Sequence, residues 1–195
     1  MPRSVLALLA VALVVVLGIG LTQAGSDSSE AGIPGPLTRD QVLEPLEGAP
    51  APLAALHRQA NALPEATPAS YRRQLRGLRG YPVVVNAWAS WCGPCKLEFP
   101  LFQRASSRLG KRIAFVGLNV SDAKDEAAAY LEKAPVPYPS LVDGDFKILG
   151  AAAKGAQGLP ITIFYDAKGE QTFIHQGGYE NEQELLADIE RYTGA

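Results

Sequence analysis

Sulfur and imidazole are scarce in this chain: two cysteines, two histidines and one methionine among 195 residues. A structural zinc centre takes four Cys or His ligands, and neither His57 nor His175 stands in a cluster that would supply them. His57 therefore reads as a surface or satisfied residue. A c-type haem requires His directly after the second Cys of its pair, where this chain has Lys96. Cationic excess is absent too, with 18 Lys and Arg against 20 Asp and Glu and a net charge of −2, so there is no electrostatic case for nucleic acid. The Arg72-Arg73, Arg76 and Arg79 group reads as the solvated face of a helix. No internal repeat is present. Charged residues make up 19%, slightly few, and hydrophobic residues 47%, enough for one packed domain of ordinary size plus an extension.

The N-terminus is what the composition leaves over. Arg3 precedes residues 5–21, which carry no charged or hydrogen-bonding side chain. The run is long for a signal core and at the lower limit for a membrane span. Two outcomes stay open: an uncleaved anchor, or a signal cleaved near Thr22-Gln23-Ala24 and a secreted product. Both put the remainder outside the cytoplasm with Arg3 inside. No Cys follows the run, which argues against a lipoprotein anchor. The expected organisation is a signal or anchor at 1–24, a flexible linker at 25–50 rich in Gly, Ser, Pro and acids, a helical segment at 51–80, and a domain at 81–195.

Along the chain, Leu53, Leu56 and Leu63 predict a helix from Pro52 that Pro64 stops. Ser70 caps a second, through Tyr71, Leu75 and Leu78 to Gly80. Val83 to Trp88 reads as a strand buried on both faces. A helix follows from near Cys92 to Gly110, carrying Leu97, Phe99, Leu101, Phe102 and Leu109, with a kink expected at Pro100. Ile113 to Val120 is the next strand. Asp122 is a candidate cap for a helix ending at Lys133. Pro135 to Pro139 read as an extended loop, and Phe146 to Lys154 as a short helix capped by Asp145. Ile161 to Tyr165 and Gln171 to Gln176 form a hairpin about Asp166-Ala167-Lys168-Gly169. Asn181 with Glu184 opens a last helix that ends near Tyr192. The fold class is α/β, with a mixed central sheet.

Both cysteines sit at the turn from the first strand into its helix. Cys92 at a helix N-terminus gains from the dipole and the unpaired N–H groups, which favour a thiolate. Cys95, one turn further in, is more buried. This makes Cys92 the attacking thiol and Cys95 the resolving one in thiol–disulfide exchange. Pro94 suits an early helical position, and Gly93 allows close backbone approach. Glu98 shares the helix face of the two cysteines. Partly buried, it would have a raised pKa and could take the proton that Cys95 loses; an exposed helix glutamate is the alternative. A purely structural bridge would close too short a loop to stabilise much.

Trp88-Ala89-Ser90-Trp91-Cys92-Gly93-Pro94-Cys95 resembles the thioredoxin superfamily signature. With Asn86 before it and Glu98-Phe99-Pro100 after it, the stretch resembles the extracytoplasmic TlpA/ResA/DsbE-like branch, an AhpC/TSA-type redoxin domain. Gly158-Leu159-Pro160 looks like that family's cis-proline loop, and the segment between Ile113 and Pro160 like the branch's insertion. The resemblance covers about residues 70–195. It implies a thioredoxin-like three-layer sandwich with helices on both faces of the sheet and an N-terminal helical extension. It also implies catalytic Cys92, Cys95 and Glu98, with Trp91, Gly93, Pro94, Leu159 and Pro160 contacting substrate. Asn86 stands where cytoplasmic thioredoxin has a buried Asp, so proton transfer would fall to Glu98.

The expected function is a thiol–disulfide oxidoreductase acting on protein thiols and disulfides outside the cytoplasm, as a monomer without cofactor or metal. The resemblance favours a reductant, serving cytochrome c maturation or disulfide repair and drawing electrons from a membrane partner. An oxidant for secreted proteins and a membrane-tethered binding module without redox turnover stay open. A peroxidase of the related peroxiredoxin fold carries Thr three residues before its reactive Cys, where this chain has Ala89.

Overall fold

The computed structural model describes residues 35–194. The anchor or signal assigned to 5–21 and the first part of the linker lie outside them. Among the described residues no helix is long and apolar enough to cross a membrane.

The elements run α1 (Arg39–Leu43), a 3₁₀ turn (Glu44–Leu46), α2 (Ala51–His57), α3 (Pro68–Gly77), β1 (Val83–Trp88), α4 (Gly93–Leu109) and β2 (Ala114–Val120). Then follow α5 (Lys124–Lys133), β3 (Ser140–Asp143), α6 (Lys147–Ala152), β4 (Ile161–Tyr165), β5 (Gln171–Gln176) and α7 (Glu182–Thr193). The five strands form one sheet in the order β3-β2-β1-β4-β5. β1, β2 and β3 are parallel, while β4 runs antiparallel to β1 and β5 antiparallel to β4.

Every residue of β1 is buried because helices cover both sides of the sheet. Its side chains still alternate between two cores. Val84 and Trp88 pack with residues of α4, α5 and α7, whereas Val83, Val85 and Ala87 pack with residues of α2, α3 and α6. The result is a thioredoxin-like three-layer α/β sandwich. Asn86 falls on the α4 side, a buried polar residue among apolar neighbours.

Several expectations are corrected. Part of the 25–50 stretch is folded rather than a flexible linker: Thr38 forms a capping box with Gln41, and Val42 and Leu46 are buried. Ser107 Oγ–H donates to the Val42 carbonyl at 3.0 Å, and Gln103 Oε1 accepts the Leu37 N–H at 2.9 Å. This N-terminal piece therefore fastens to α4, in the same compact unit as the other described residues. The cap of α3 is Thr67, with Ser70 answering from the third helical position. Leu97, read as part of an apolar helix pattern, is 66% exposed. Asp145 does not cap α6: the Asp143 carboxylate accepts the Ile148 and Leu149 N–H groups instead. Asp122 does not cap α5, whose N-cap Ala123 has no side-chain bond. β3 was not anticipated. It is four residues long, follows a proline-rich loop, and owes its order to pairing with β2 and a bridge between Val142 and Glu65.

Close approach fixes one glycine on the β2–β3 seam. A Cβ on Gly117 would overlap Ser140 Oγ and lie 3.0 Å from Ser140 Cα, and that same hydroxyl accepts the Trp88 indole N–H at 3.0 Å. Gly117→Ala should therefore cost about 1–3 kcal/mol by overpacking, read as a lower urea midpoint with an unchanged denaturant slope.

Candidate functional site

β1 ends at Trp88, and the chain turns through Ala89 to Trp91 before α4 begins. The Cys92 N–H closes that turn on the Ala89 carbonyl at 3.1 Å. Cys92 is the N-cap of α4, and its sulfur takes the place usually filled by a hydroxyl or carboxyl oxygen. The Cys95 N–H donates to Cys92 Sγ at 3.2 Å. The two sulfurs are bonded to each other, with their Cα atoms 5.3 Å apart. An amide aimed at the leading sulfur, plus the positive end of a 17-residue helix, stabilises that sulfur as an anion when the bridge is open. Cys92 is 4% exposed and Cys95 0%, so the opening onto the bridge is narrow and lies at Cys92. Gly93 and Pro94 are exposed beside it. Trp91 is 60% exposed, its indole N–H bonded to the Ser121 carbonyl at 3.0 Å.

Glu98 is fully buried, not an exposed helix glutamate. Its Oε1 accepts from Asn86 Nδ2 at 2.8 Å and its Oε2 from the Tyr179 N–H at 3.2 Å. Burial pushes its pKa up to about 8, against the pull of those two donors. The neighbouring phenols of Tyr138 and Tyr179 are held neutral, mainly by burial and in part by this acid.

The Leu159–Pro160 peptide is cis, and Leu159 packs against both cores. A Cβ placed on Gly178 would lie 3.6 Å from Pro160 Cγ and 3.7 Å from both Glu98 Oε2 and the Pro94 carbonyl. The cis-proline loop, the buried acid and the cysteine turn thus converge under one short loop. Among the described residues no group of three or more His, Cys, Asp or Glu is arranged to hold a metal.

A profile of the AhpC/TSA family matches residues 59–174. The chain belongs to the AhpC/TSA family. Within it, the chain is a thioredoxin-superfamily redoxin of the DsbE/TlpA-like kind. It is 34% identical over 119 residues to the thiol:disulfide interchange protein DsbE of Yersinia pestis, covering 59% of this chain and 61% of that protein. The DsbE of Escherichia coli K12 is likewise 34% identical over 119 residues, covering 59% of this chain and 62% of its own length. The chain thus spans about three fifths of these curated relatives. Among solved structures, a putative thiol:disulfide interchange protein DsbE from Chlorobium tepidum superposes with a TM-score of 0.52 at 25% identity, covering 58% of this chain and 80% of that one. The dsbF of MTB, in mixed oxidised and reduced forms, gives 0.54 at 25% identity, covering 60% and 85%.

The eight residues singled out in this redoxin's sequence cluster at one end of the sheet, at the cysteine turn and the cis-proline loop. Three contributors were missed. Asn86 was noted as a departure from thioredoxin, but its bond to Glu98 was not anticipated. Tyr179 offers a backbone N–H from 81 residues away, signalled only by Gly177, whose φ of +97° turns the chain after β5. Asp122, a helix-cap candidate by position, bonds to Ser90 instead.

The raised acid has a stability signature. Unfolded, Glu98 loses its proton near its ordinary value of 4.5, while folded it keeps it to about 8. Between those limits the unfolded chain binds fewer protons, so this residue's contribution falls as pH rises, by at most about 1.4 kcal/mol per pH unit. Urea unfolding at pH 5, 6.5 and 8 should show that decline in the wild-type chain and a flatter profile in Glu98→Gln.

Proposed function

We propose that this redoxin is an extracytoplasmic thiol–disulfide oxidoreductase that reduces disulfides in protein clients. The observation that carries the exchange chemistry is the Cys95 amide held on Cys92 Sγ at the start of α4; the reducing direction rests on the resemblance to the TlpA/ResA/DsbE-like branch alone. Support also comes from relatives named as thiol:disulfide interchange proteins, and from the apolar run at 5–21 that would deliver the domain across a membrane.

In the reduced form, Cys92 thiolate attacks a client disulfide, forms a mixed disulfide and expels one client thiolate. Cys95 then loses its proton and attacks Cys92 Sγ. This expels the second client thiolate and leaves the protein oxidised by the two electrons the client has gained. Glu98, one turn beyond Cys95, is the acceptor for the Cys95 proton. Its pKa of about 8 lies close to that of an ordinary thiol, about 8.5, so its ionised fraction, which grows as the pH nears 8, takes that proton at little cost. Trp91, Gly93 and Pro94 border the opening, and Leu159 and Pro160 offer backbone to the client. Electrons return from a membrane donor that reduces the Cys92–Cys95 bridge.

Two experiments test this. Cys95→Ser should trap clients as mixed disulfides at Cys92, visible on non-reducing gels, while Cys92→Ser traps none; no trapped client and no insulin reduction by the wild-type chain would favour a binding module. Glu98→Gln should slow exchange by roughly 10²-fold and remove an inflection near pH 8 from the rate profile. An unaltered profile would strip Glu98 of its role.

A further inference from the structure

The geometry points to Asp122 as the positioning residue of the turn that presents Cys92, an inference that rests on Cys92 being the attacking sulfur. Its carboxylate makes no bond to α5, the helix it precedes; its side-chain hydrogen bonds run to Ser90 and Asn119. Beyond Trp88 the chain leaves the β1 ladder, so the Ser90 N–H needs another acceptor. Asp122 Oδ2 accepts it, and Oδ1 accepts the Ser90 hydroxyl at 2.7 Å. Both oxygens thus grip one residue, two positions ahead of the leading sulfur.

The grip is itself anchored. Asn119 Nδ2 donates to Asp122 Oδ2 at 2.8 Å, and Asn119 sits opposite Trp88 in the β1–β2 register. Beside it, Ser121 adopts φ of +48°, in the left-handed region that non-glycine residues rarely enter. From there its carbonyl takes the Trp91 indole, and its N–H bonds to the Asp143 carbonyl on β3 at 3.2 Å. The 119–122 turn therefore holds residues 90 and 91 by three hydrogen bonds. A carboxylate near a thiolate brings no electrostatic benefit to the anion, so the gain is geometric. With Ser90 fixed, the Ala89–Cys92 turn keeps the sulfur beneath the Cys95 amide.

The test measures the Cys92 thiol pKa by thiolate absorbance, together with alkylation and insulin-reduction rates at pH 7, on the full-length chain. Asp122→Ala should raise the thiol pKa by about one unit and slow alkylation roughly tenfold, through the smaller thiolate fraction. Asp122→Asn keeps an acceptor for the Ser90 N–H and should stay within about threefold of wild type. Ser90→Ala, which removes only the hydroxyl bond, should slow alkylation about twofold, and it carries the test if Asp122→Ala does not fold. Wild-type titration and rates in Asp122→Ala, or in Ser90→Ala where the former fails to fold, would overturn the positioning role and leave the oxidoreductase reading standing. Conversely, a shifted titration in a chain that reduces no client disulfide would uphold the positioning role and sink that reading.

Discussion

The structure around the site depends on one hydrogen bond, the Cys95 amide to the Cys92 sulfur. It needs a helix that starts at residue 93, a strand that stops at 88, and a turn between them that neither drifts nor collapses. The central place of β1 supplies the strand end, since parallel pairing with β2 and antiparallel pairing with β4 hold it on both sides. Packing of α4 against β1, through Trp88 and Phe99 with ring centroids 4.9 Å apart, fixes the helix start relative to that end. Whatever the chain does with its sulfurs, this arrangement sets one of them beneath a backbone amide at a helix start and leaves the other in the interior.

A second constraint follows from what lies beneath. The middle of β1 offers Asn86 rather than another apolar residue to α4, and Glu98 meets it there. Burying a carboxyl group is tolerable when its charged form is avoided or its oxygens are bonded. Here both conditions hold in part: two donors bind it, and burial keeps it protonated up to about pH 8. The same burial that costs stability at alkaline pH matches the acid to thiol chemistry.

Much of this could be read from residues in order. β1, β2 and β4 announce themselves as apolar runs, the Asp166–Gly169 turn marks β5 as the second arm of a hairpin, and the Cys92–Cys95 spacing sits at a strand-to-helix turn that suits thiol–disulfide exchange. What could not be read was set by partners distant in sequence. β3 is ordered by its neighbours more than by its own four residues. Acidic residues near helix starts misled for two reasons: Asp122 is claimed by a donor distant in sequence, Ser90, and at α6 another acceptor, Asp143, takes the N–H groups that Asp145 could have capped. Spacing put Glu98 on the right face, but its full burial depends on Asn86 and on a loop around Tyr179. The folded part of the 25–50 stretch was hidden by its polar composition, since two well-placed apolar residues, Val42 and Leu46, sufficed to dock it.

The unequal exposure of the sulfur pair has a consequence for traffic. If the chain shuttles electrons as proposed, then with Cys95 sealed in the core and Cys92 at the narrow opening a molecule delivering electrons and a molecule receiving them would use the same doorway. Under that proposal the two could not be seated together, each would leave before the other arrived, and the protein itself would carry the electron pair across the interval as two thiols. A donor and a client that never meet need share no surface with one another. Each needs only to fit the few residues around a single sulfur.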